Sequence, residues 1–372
     1  MQSLHLTALE PVAEQKADPN SYGFRKARSI QDAHVQCFIV LARKHGAEWI
    51  LDADIHACFD RISHDWLLEN APMDKRILGQ WLKAGYHEGD LFHPTEQGTP
   101  QGGSISPVLA NLALDGLEGR IRKAAADCRT KAIPNPKVNF IRYADDLVVT
   151  AASREILQEI VIPATAAFLK ERGLSLSAKK TRIVHIDEGF DFLGANIRKF
   201  GGKLIMQPRK TNVLGLARKV GDLTRRSRGT KTETLIGRLN PILRGWAYQF
   251  RHLVASKTFE YLDERIFWQL WRWACRRHGN KGKRWIKQRY FPDKGKRSWV
   301  FSARTSGEGG QSNTTAIFRM STVPIRRHIK IRAEARFHDA RYADYFNTRQ
   351  LRTARHPKKR AEASLQQLEL LF

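Results

Sequence analysis

The stretch 137–151, K-V-N-F-I-R-Y-A-D-D-L-V-V-T-A, restricts the fold of this chain more than any other feature of the sequence. Two runs of strand-forming residues, Val138–Tyr143 and Leu147–Thr150, stand on either side of Ala144, Asp145 and Asp146. This pattern predicts a strand–turn–strand hairpin with both aspartates at its tip. A pair of aspartates is by itself more often a solvated turn than a functional site, so the surrounding sequence has to decide between the two interpretations.

A second carboxylate-bearing strand is predicted within Glu48–Phe59. Its centre alternates, so that Asp52 and Asp54 lie on one face while Leu51 and Ile55 lie on the other. The sequence therefore provides a strand aspartate in addition to the aspartate pair of the hairpin.

Helices are predicted between and after these carboxylate segments. Ser63–Leu67 has the pattern of a helix start, and the glycine-rich loop that begins at Gln97 leads into a helix with Ser106 as N-cap and Pro107 as its first residue. Apolar residues at helical spacing predict a further helix over Ser153–Arg172.

One aspartate on a strand and an adjacent pair at a hairpin tip suit nucleotidyl transfer by a polymerase. In that reaction a 3′-hydroxyl attacks an α-phosphate in line, and two divalent ions roughly 4 Å apart activate the attacking oxygen and stabilise the leaving pyrophosphate. Mg²⁺ takes hard oxygen ligands and keeps several waters, so two or three carboxylates suffice to hold it. Asp54, Asp145 and Asp146 are therefore the candidate catalytic and metal-binding residues, with two Mg²⁺ ions as cofactors.

From Phe190 onward, the chain is predicted to form short strands and then helices. Phe190–Phe200 and Gly202–Met206 are predicted as short strands joined at a Gly-Gly pair. After Pro208, basic amphipathic helices are predicted around Leu235–Trp246 and over Phe259–Arg277. Beyond them, 305–315 reads as a polar loop and 354–371 as a basic, then Leu/Gln-rich, tail.

Charge is distributed unequally along the chain. The formal net charge is +27; residues 1–200 hold 25 basic and 25 acidic side chains, whereas residues 201–372 hold 39 and 12. A polyanionic partner accounts for this excess, because each neutralised phosphate releases a condensed counterion. A solvated basic face and an anionic membrane surface are the alternatives. The tryptophans interleaved with these basic residues suit a nucleic-acid groove and a helical core equally well.

Several other kinds of protein are disfavoured by the sequence. No apolar stretch is long enough for a membrane span, and the first twenty residues lack the order of a signal peptide. The four cysteines form no C-x-x-C pair, which argues against a zinc site or a disulfide framework. We therefore expect a cytoplasmic protein without a membrane partner; its oligomeric state is left open.

The segments around the predicted carboxylate site resemble, in family order, those of reverse transcriptases encoded by group II introns. Tyr143–Asp146 resembles the Y-x-D-D box, and Asp54–Asp60 resembles the D-I-x-x-x-F-D strand. Gln97–Asn111 is similar to the G-T-P-Q-G-G-x-x-S-P-x-L-A-N block. The remaining three blocks, S-Y-G-F-R-x-x-R-S and the last two blocks of the palm, are resembled by Ser21–Ser29, Leu174–Thr181 and Phe190–Gly194. Six blocks in order are much stronger evidence than any one of them.

The resemblance implies an α+β fold. A right-hand polymerase palm with partial fingers is expected over residues 1–207, a helical thumb plus maturase domain over 208–346, and a tail over 347–372. It also implies an RNA-directed DNA polymerase that uses an RNA template with a DNA primer and dNTPs.

Individual roles follow from the same resemblance. Asp54 and Asp145 would bind both metal ions, and Asp146 would support the pair. Among the nucleotide-binding candidates, Phe59 would exclude a 2′-hydroxyl, Gln101 would contact the incoming nucleotide, and Arg25 and Arg28 would reach the triphosphate. Gly102, with Gly103, would let the backbone approach template or nucleotide. The alternatives are a core phenylalanine at Phe59 and solvated loop arginines at Arg25 and Arg28.

The basic half extends the resemblance. Arg238–Phe250 resembles the central block of the maturase domain, and Arg327–Ile331 with Tyr345, Phe346 and Arg349 resembles its final block. Such domains bind the parent intron RNA, which agrees with the charge asymmetry. The RNA-binding candidates are Arg238, Arg244, Arg251 and Lys330.

The sequence departs from the family pattern in three places. Only about twenty residues precede Ser21, where relatives have more fingers sequence, so shortened fingers or a truncated reading frame are expected. No C-x-x-C or H-N-H cluster follows Phe346, so an endonuclease domain is not expected, and Ala335–Asp339 replaces prolines of the final block. The alternatives to an active enzyme are a non-catalytic RNA-binding splicing cofactor and an inactive remnant.

Overall fold

The computed structural model describes residues 1–88, 91–93, 95–99, 103–131, 133–295, 297–306 and 312–353. The helices are α1 (Gln2–Lys16), α2 (Ile30–Leu41), α3 (Cys58–Arg61), α4 (His64–Asn70), α5 (Lys75–Leu82), α6 (Ser106–Leu114), α7 (Leu117–Asp127), α8 (Ile162–Lys170), α9 (Lys210–Arg226), α10 (Thr232–Phe250), α11 (Ser256–Arg277), α12 (Lys283–Tyr290) and α13 (Ala343–Thr353). The strands are β1 (Trp49–Asp54), β2 (Tyr86–Glu88), β3 (Leu91–His93), β4 (Asn139–Tyr143), β5 (Asp146–Ala151), β6 (Arg182–His185), β7 (Phe190–Phe192), β8 (Ala195–Phe200), β9 (Lys203–Pro208), β10 (Ser302–Ser306) and β11 (Ser312–Ala316). This mixture of helices and separate antiparallel sheets confirms the predicted α+β class.

The chain divides into two compact units. The first consists of Met1–Val184 and the described residues from Lys330 onward, and the second of His185–Ile329. This division does not coincide with the boundary predicted at residue 207, because the β7–β9 sheet is hydrogen-bonded to residues well beyond that boundary. The Val254 amide donates to the Met206 carbonyl at 2.8 Å, for example. The functional boundaries at 207 and 346 remain predictions from the sequence.

A four-stranded sheet with the order β4-β5-β1-β6 forms the centre of the first unit. The predicted hairpin is β4 and β5, and β5 also pairs antiparallel with β1. As the alternation predicts, Leu51, Ala53 and Ile55 are buried, while Asp52 and Asp54 are only partly covered. The buried face packs against α6, whose residues Ser106–Leu114 nearly all lie in the interior. On the carboxylate face Ile50 is fully buried, and Asp52 and Asp54 each keep a small exposed fraction.

Two predicted helix starts had different outcomes. Ser63 caps α4 as expected, since its side chain accepts a hydrogen bond from the Trp66 amide at 3.2 Å. The N-cap predicted at Ser106 is wrong: Ile105 occupies the cap and Ser106 is already the first helical residue. Ser106 is buried, so its hydroxyl is inside the unit rather than at an open helix end.

The helix predicted over Ser153–Arg172 is irregular. Ile156–Val161 forms a π-helical segment that leads into α8. Pro163, at the start of α8, has no amide hydrogen to donate to the preceding turn, which explains a change of hydrogen-bond register at this point.

The second unit contains the predicted short strands and basic helices. β7, β8 and β9 form an antiparallel sheet, and Gly201 and Gly202 join the last two strands with positive φ angles of 52° and 79°. Both angles are typical of a tight hairpin turn. The loop predicted at 305–315 is wrong in part, because residues 305–306 belong to β10 and residues 312–315 belong to its antiparallel partner β11.

Within the described ranges, no helix combines the length and the apolar character needed to cross a bilayer.

Candidate active site

The three predicted carboxylates come together at one end of the central sheet. Asp54 ends β1 and is the direct antiparallel partner of Asp146, which begins β5. Asp145 precedes it, and its backbone carbonyl accepts a hydrogen bond from the Ile55 amide at 3.2 Å. The structure differs slightly from the prediction that both aspartates occupy the tip, because Asp146 already belongs to the strand.

The turn that carries Asp145 is tight and supported from one side. Tyr143 pairs with Asp146, so Ala144 and Asp145 form a two-residue turn, and Ala144 adopts a positive φ of 56°. A non-glycine residue in this region costs about 1 kcal/mol or more, so neighbouring structure has to hold it. Gly23 provides that support: a Cβ added at Gly23 would lie 2.3 Å from the Ala144 nitrogen.

Arg142, which the sequence analysis did not single out, anchors this hairpin in the interior. Its side chain is completely buried and forms an ion pair with Asp115. Its Nη1 also donates to Asn111 Oδ1 at 3.1 Å, and Asn111 Nδ2 donates to the Gly23 carbonyl at 3.0 Å. A buried charge of this kind is stable only when it is paired and hydrogen-bonded. Arg142 therefore connects the hairpin, α6 and the segment before α2.

The aspartate cluster raises its own pKa values. Burial, followed by the neighbouring charges of Asp145, Asp54 and Asp52, raises the pKa of Asp146 to about 6. Burial and the charge of Asp54 also raise the pKa of Asp145. Carboxylates that are close together and partly desolvated resist ionisation, and a nearby positive charge relieves this repulsion.

Two basic side chains from the segment before and within β6 partly compensate these charges. Lys180 Nζ lies 2.8 Å from Asp54 Oδ2, and this hydrogen bond is the main reason why the pKa of Lys180 is raised. Arg182 forms an ion pair with Asp52 at 2.8 Å. Neither residue had been named as a functional candidate, although Lys180 stands in the Leu174–Thr181 block.

The donor chemistry of the cluster fits a divalent metal ion. Asp54, Asp145 and Asp146 offer carboxylate oxygens, the ligands that Mg²⁺ prefers, and burial together with the neighbouring carboxylates raises the pKa values of Asp145 and Asp146. In the part of the chain that the structure describes, no three acidic, histidine or cysteine side chains are grouped closely enough to hold one ion as they stand. Asp54 would have to exchange the ammonium group of Lys180 for the metal ion.

Phe59 lies close to the carboxylate strand, on the short helix α3 that follows β1. Its ring packs partly against the core and contacts Phe24 edge to face, with centroids 5.9 Å apart. The Phe59 carbonyl accepts a hydrogen bond from the Thr99 amide at 2.6 Å, so the glycine-rich block begins directly beside it. Gln101 and Gly102, the other two candidates from this block, lie outside the described residues.

Arg25 and Arg28 do not extend from an open loop. Arg25 is buried in a bidentate pair with Glu14, at 2.8 and 2.6 Å. Arg28 donates to the carbonyl oxygens of Pro19 and Ala333, and burial together with Arg25 lowers its pKa to about 10. Both guanidinium groups are engaged inside the first unit, so this arrangement gives no support to the predicted triphosphate contacts. The alternative of solvated loop arginines does not describe them either.

The RNA-binding candidates fall into both compact units. Arg238 and Arg244 are exposed on α10, and Arg251 follows that helix with its guanidinium over the Tyr248 ring. Lys330 belongs to the first unit, where burial and the charge of Arg28 lower its pKa. Arg238, Arg244 and Arg251 thus belong to the second unit and Lys330 to the first.

Comparisons with known proteins agree with the resemblance of the polymerase region and with that of the maturase-like region. The family model described as reverse transcriptase (RNA-dependent DNA polymerase) matches residues 1–197. The model described as group II intron, maturase-specific domain matches residues 213–291.

Individual proteins are similar over part of their length. Protein YkfC of Escherichia coli (strain K12) is 31% identical over 227 residues, which cover 52% of this chain and 59% of that protein. Group II intron-encoded protein LtrA of Lactococcus lactis subsp. cremoris is 27% identical over 248 residues, 51% of this chain and 41% of that protein. A structure of telomerase from Candida albicans in complex with the TWJ fragment of telomeric RNA aligns with 76% of this chain and 58% of its own, at 12% identity and a TM-score of 0.40. The chain spans about half the length of the curated relatives it matches.

Proposed function

Because the chain belongs to the reverse transcriptase (RNA-dependent DNA polymerase) family, we propose that it extends a DNA primer with dNTPs on an RNA template, and that it binds intron RNA through its maturase-like region. The resemblance seen in the sequence is confirmed by both family matches. The observation that carries the proposed activity is the pairing of Asp54 with Asp146 next to Asp145. A cytoplasmic location remains a prediction from the sequence.

Asp54, Asp145 and Asp146 would hold the metal ions, and we propose Mg²⁺ because the ligands are carboxylate oxygens. Two such ions, when bound, would activate the primer 3′-hydroxyl and stabilise the leaving pyrophosphate. The chain itself fixes the positions of these ligands. The β1–β5 pairing aligns Asp54 with Asp146, and the Arg142 network keeps the turn of Asp145 in place.

Phe59 is the proposed contact for the sugar of the incoming nucleotide. It is only partly buried and follows the carboxylate strand directly, so one side of its ring can remain accessible. An aromatic ring beneath C2′ leaves no room for a 2′-hydroxyl. Phe24, half exposed and in edge contact with Phe59, would hold the ring in place.

Asp145→Asn tests the polymerase activity. Primer extension on an RNA template with Mg²⁺ should fall by roughly three orders of magnitude or more, because the substitution removes a charged ligand at the reacting centre. Asp127→Asn, at an exposed carboxylate that ends α7, is the matched control and should extend primers at the wild-type rate.

The outcome also separates the enzyme from the splicing cofactor. Wild-type protein that binds intron RNA but extends no primer would leave only the RNA-binding role. Equal extension by wild type and Asp145→Asn would show that the active site lies elsewhere.

A further inference from the structure

A cleft of about 600 Å³ in the second unit is lined by an unusual concentration of arginines. It is formed by residues of α9, by the segment just after α9, and by α11. None of these residues was a functional candidate from the sequence. The six arginines, all exposed, are Arg218, Arg225, Arg228, Arg265, Arg272 and Arg276.

The spacing of these arginines forms two rows along the cleft. Arg218 and Arg225 are seven residues apart on α9, and so are Arg265 and Arg272 on α11, which places each pair on one helix face about 10.5 Å apart along the axis. Among the described residues, no acidic side chain lines the cleft, although Asp222 pairs with Arg225 from outside it. Like charges at such distances repel, so the arrangement favours a ligand with several regularly spaced negative charges. Phosphodiester groups fit the planar guanidinium fork.

One buried polar atom in the cleft indicates what accompanies the phosphates. Gln269 Nε2 donates to the Ala217 carbonyl at 2.8 Å, which fixes the orientation of the amide because that carbonyl can only accept. Gln269 Oε1 is then a buried acceptor that receives no hydrogen bond from the described residues. Buried acceptors are normally satisfied, so this oxygen needs a donor from outside the chain, which is water in the free protein and can be a ligand hydroxyl in a complex. A ribose 2′-hydroxyl can donate a hydrogen bond, and deoxyribose has no such group.

An exposed tryptophan stands beside the same rows. Trp268 lies three residues after Arg265 and four before Arg272, so it is adjacent to both on the helix surface, and its side chain is 49% exposed. Bases of a single strand stack on exposed aromatic rings of this kind. Phosphate, ribose and base could thus each contact a different part of this surface.

We infer that the cleft between α9 and α11 binds the backbone of a single RNA strand, with phosphates on the arginine rows and a 2′-hydroxyl donating to Gln269 Oε1. The inference rests on the proposed function in that it takes RNA as the polyanion, and it adds the position and the chemical basis of recognition. It requires that affinity depends on the arginines and that the preference for RNA over DNA depends on Gln269.

The arginine rows are tested in the full chain with a short single-stranded RNA and a DNA of the same sequence, by fluorescence anisotropy. Arg272→Gln combined with Arg276→Gln should weaken binding of both by roughly tenfold. The slope of log affinity against log salt should fall by about 1.4, because each lost phosphate contact contributes about 0.7 for a single strand. The control, Arg284→Gln with Arg289→Gln on α12, removes the same charge from exposed positions outside the cleft. An equal loss in the control would attribute the affinity to overall charge and overturn the inference.

Recognition of ribose is tested with Gln269→Met and, independently, with Gly221→Ala. A Cβ at Gly221 would lie 3.2 Å from Gln269 Nε2 and would displace the amide without removing it. Wild type should prefer RNA to DNA by about fivefold, the effect of one satisfied hydrogen bond. It should bind 2′-O-methyl RNA as weakly as DNA. Both variants should lose this preference and keep the wild-type salt slope.

An RNA-to-DNA ratio that stays at the wild-type value in both folded variants would overturn the role of Gln269. Asp145-dependent primer extension, measured in the same preparations, reports on the proposed polymerase separately. Absence of primer extension in wild type would refute the proposed activity, while the RNA-to-DNA binding ratios would still test whether the cleft recognises RNA.

Discussion

Gly23→Ala should inactivate the enzyme by displacing the hairpin that carries Asp145. Gly23 does not have a positive φ, so the backbone conformation itself would accept an alanine. The obstacle is contact: the added Cβ would lie 2.3 Å from the Ala144 nitrogen and 3.0 Å from the Tyr143 carbonyl carbon. Non-bonded heavy atoms prefer roughly 3.5 Å or more, so the two segments would have to separate by about 1 Å.

The surrounding hydrogen bonds determine where this separation is taken up. The Gly23 carbonyl is held by Asn111, and the Tyr22 amide donates to the Arg142 carbonyl at 2.9 Å. Both bonds tie the segment to the base of the hairpin, so the turn at Ala144 and Asp145 has to move. A misplacement of about 1 Å in an active site costs on the order of 100-fold in rate, whereas overpacking costs only about 1–3 kcal/mol of stability.

Initial rates of primer extension and urea unfolding curves measure the two effects separately. Gly119→Ala, in α7 of the same unit, is the control: nothing lies within 4 Å of its added Cβ. It should extend primers normally and gain up to about 1 kcal/mol in stability, since alanine is the better helix former. Gly23→Ala protein that is folded by circular dichroism and extends primers at the wild-type rate would refute the reasoning.

Three further predictions follow from other parts of the structure. Phe59→Ala should raise incorporation of rNTPs relative to dNTPs while some extension remains, because the ring that would exclude a 2′-hydroxyl is removed. An unchanged rNTP-to-dNTP ratio would show that Phe59 only packs in the core. The pKa of Asp146 is raised from 3.8 to about 6 in the folded protein, so between these values the folded protein holds a proton that the unfolded chain releases. The contribution of Asp146 to the free energy of unfolding is therefore fully present below about pH 4 and is lost as the pH rises to about 6. In urea unfolding with EDTA present, the free energy of unfolding of wild type minus that of Asp146→Asn should decline between about pH 4 and pH 6. A difference that does not change with pH would contradict the assigned pKa. Arg238→Gln with Arg244→Gln should reduce the preference for intron-like RNA over an unrelated RNA at high salt, where the sequence-independent contribution to binding is weakened; an unaltered preference would exclude these two arginines from specific recognition.

The hairpin and its partner strand could be predicted because their signal is local. Alternation in β1 assigns Asp54 to the face opposite Leu51, and the β-rich runs around Ala144 leave a two-residue turn as the connection. Neither pattern gives the register between β1 and β5. The direct pairing of Asp54 with Asp146 depends on long-range packing that no local pattern contains.

Arg25 and Arg28 show why a motif does not fix the surroundings of its side chains. In the sequence they stand among loop-forming residues, where an arginine is usually solvated. Their actual partners include Glu14 in α1 and the Ala333 carbonyl some three hundred residues later. Charge and spacing cannot reveal that such distant segments pack over a loop, so the sequence did not predict these partners, and the triphosphate contacts remain a prediction.

The returning C-terminal segment was missed for a related reason. The basic half as a whole was assigned to RNA, yet its last described part belongs to the first unit. There the fully buried Asp32 accepts a hydrogen bond from the Ile331 amide at 2.8 Å and forms an ion pair with Arg349 at 2.9 Å. Some of the basic residues counted toward RNA binding therefore neutralise buried acids, and the net charge overstates the surface available to a polyanion.

Arg142 connects these observations, because its position within a run of strand-forming residues gave no sign of its role. Once it is buried, its guanidinium needs an anion and an amide partner. Asn111 in α6 supplies the amide, and Asp115, just after α6, supplies the anion. Asn111 in turn holds the Gly23 carbonyl, and Gly23 has no side chain to obstruct the turn of Asp145. The Ser21–Ser29, Gln97–Asn111 and Tyr143–Asp146 blocks thus each contribute to one network beneath the carboxylates. Their joint presence in the sequence is a stronger indication of the candidate active site than any single block, because the three are parts of one structural unit.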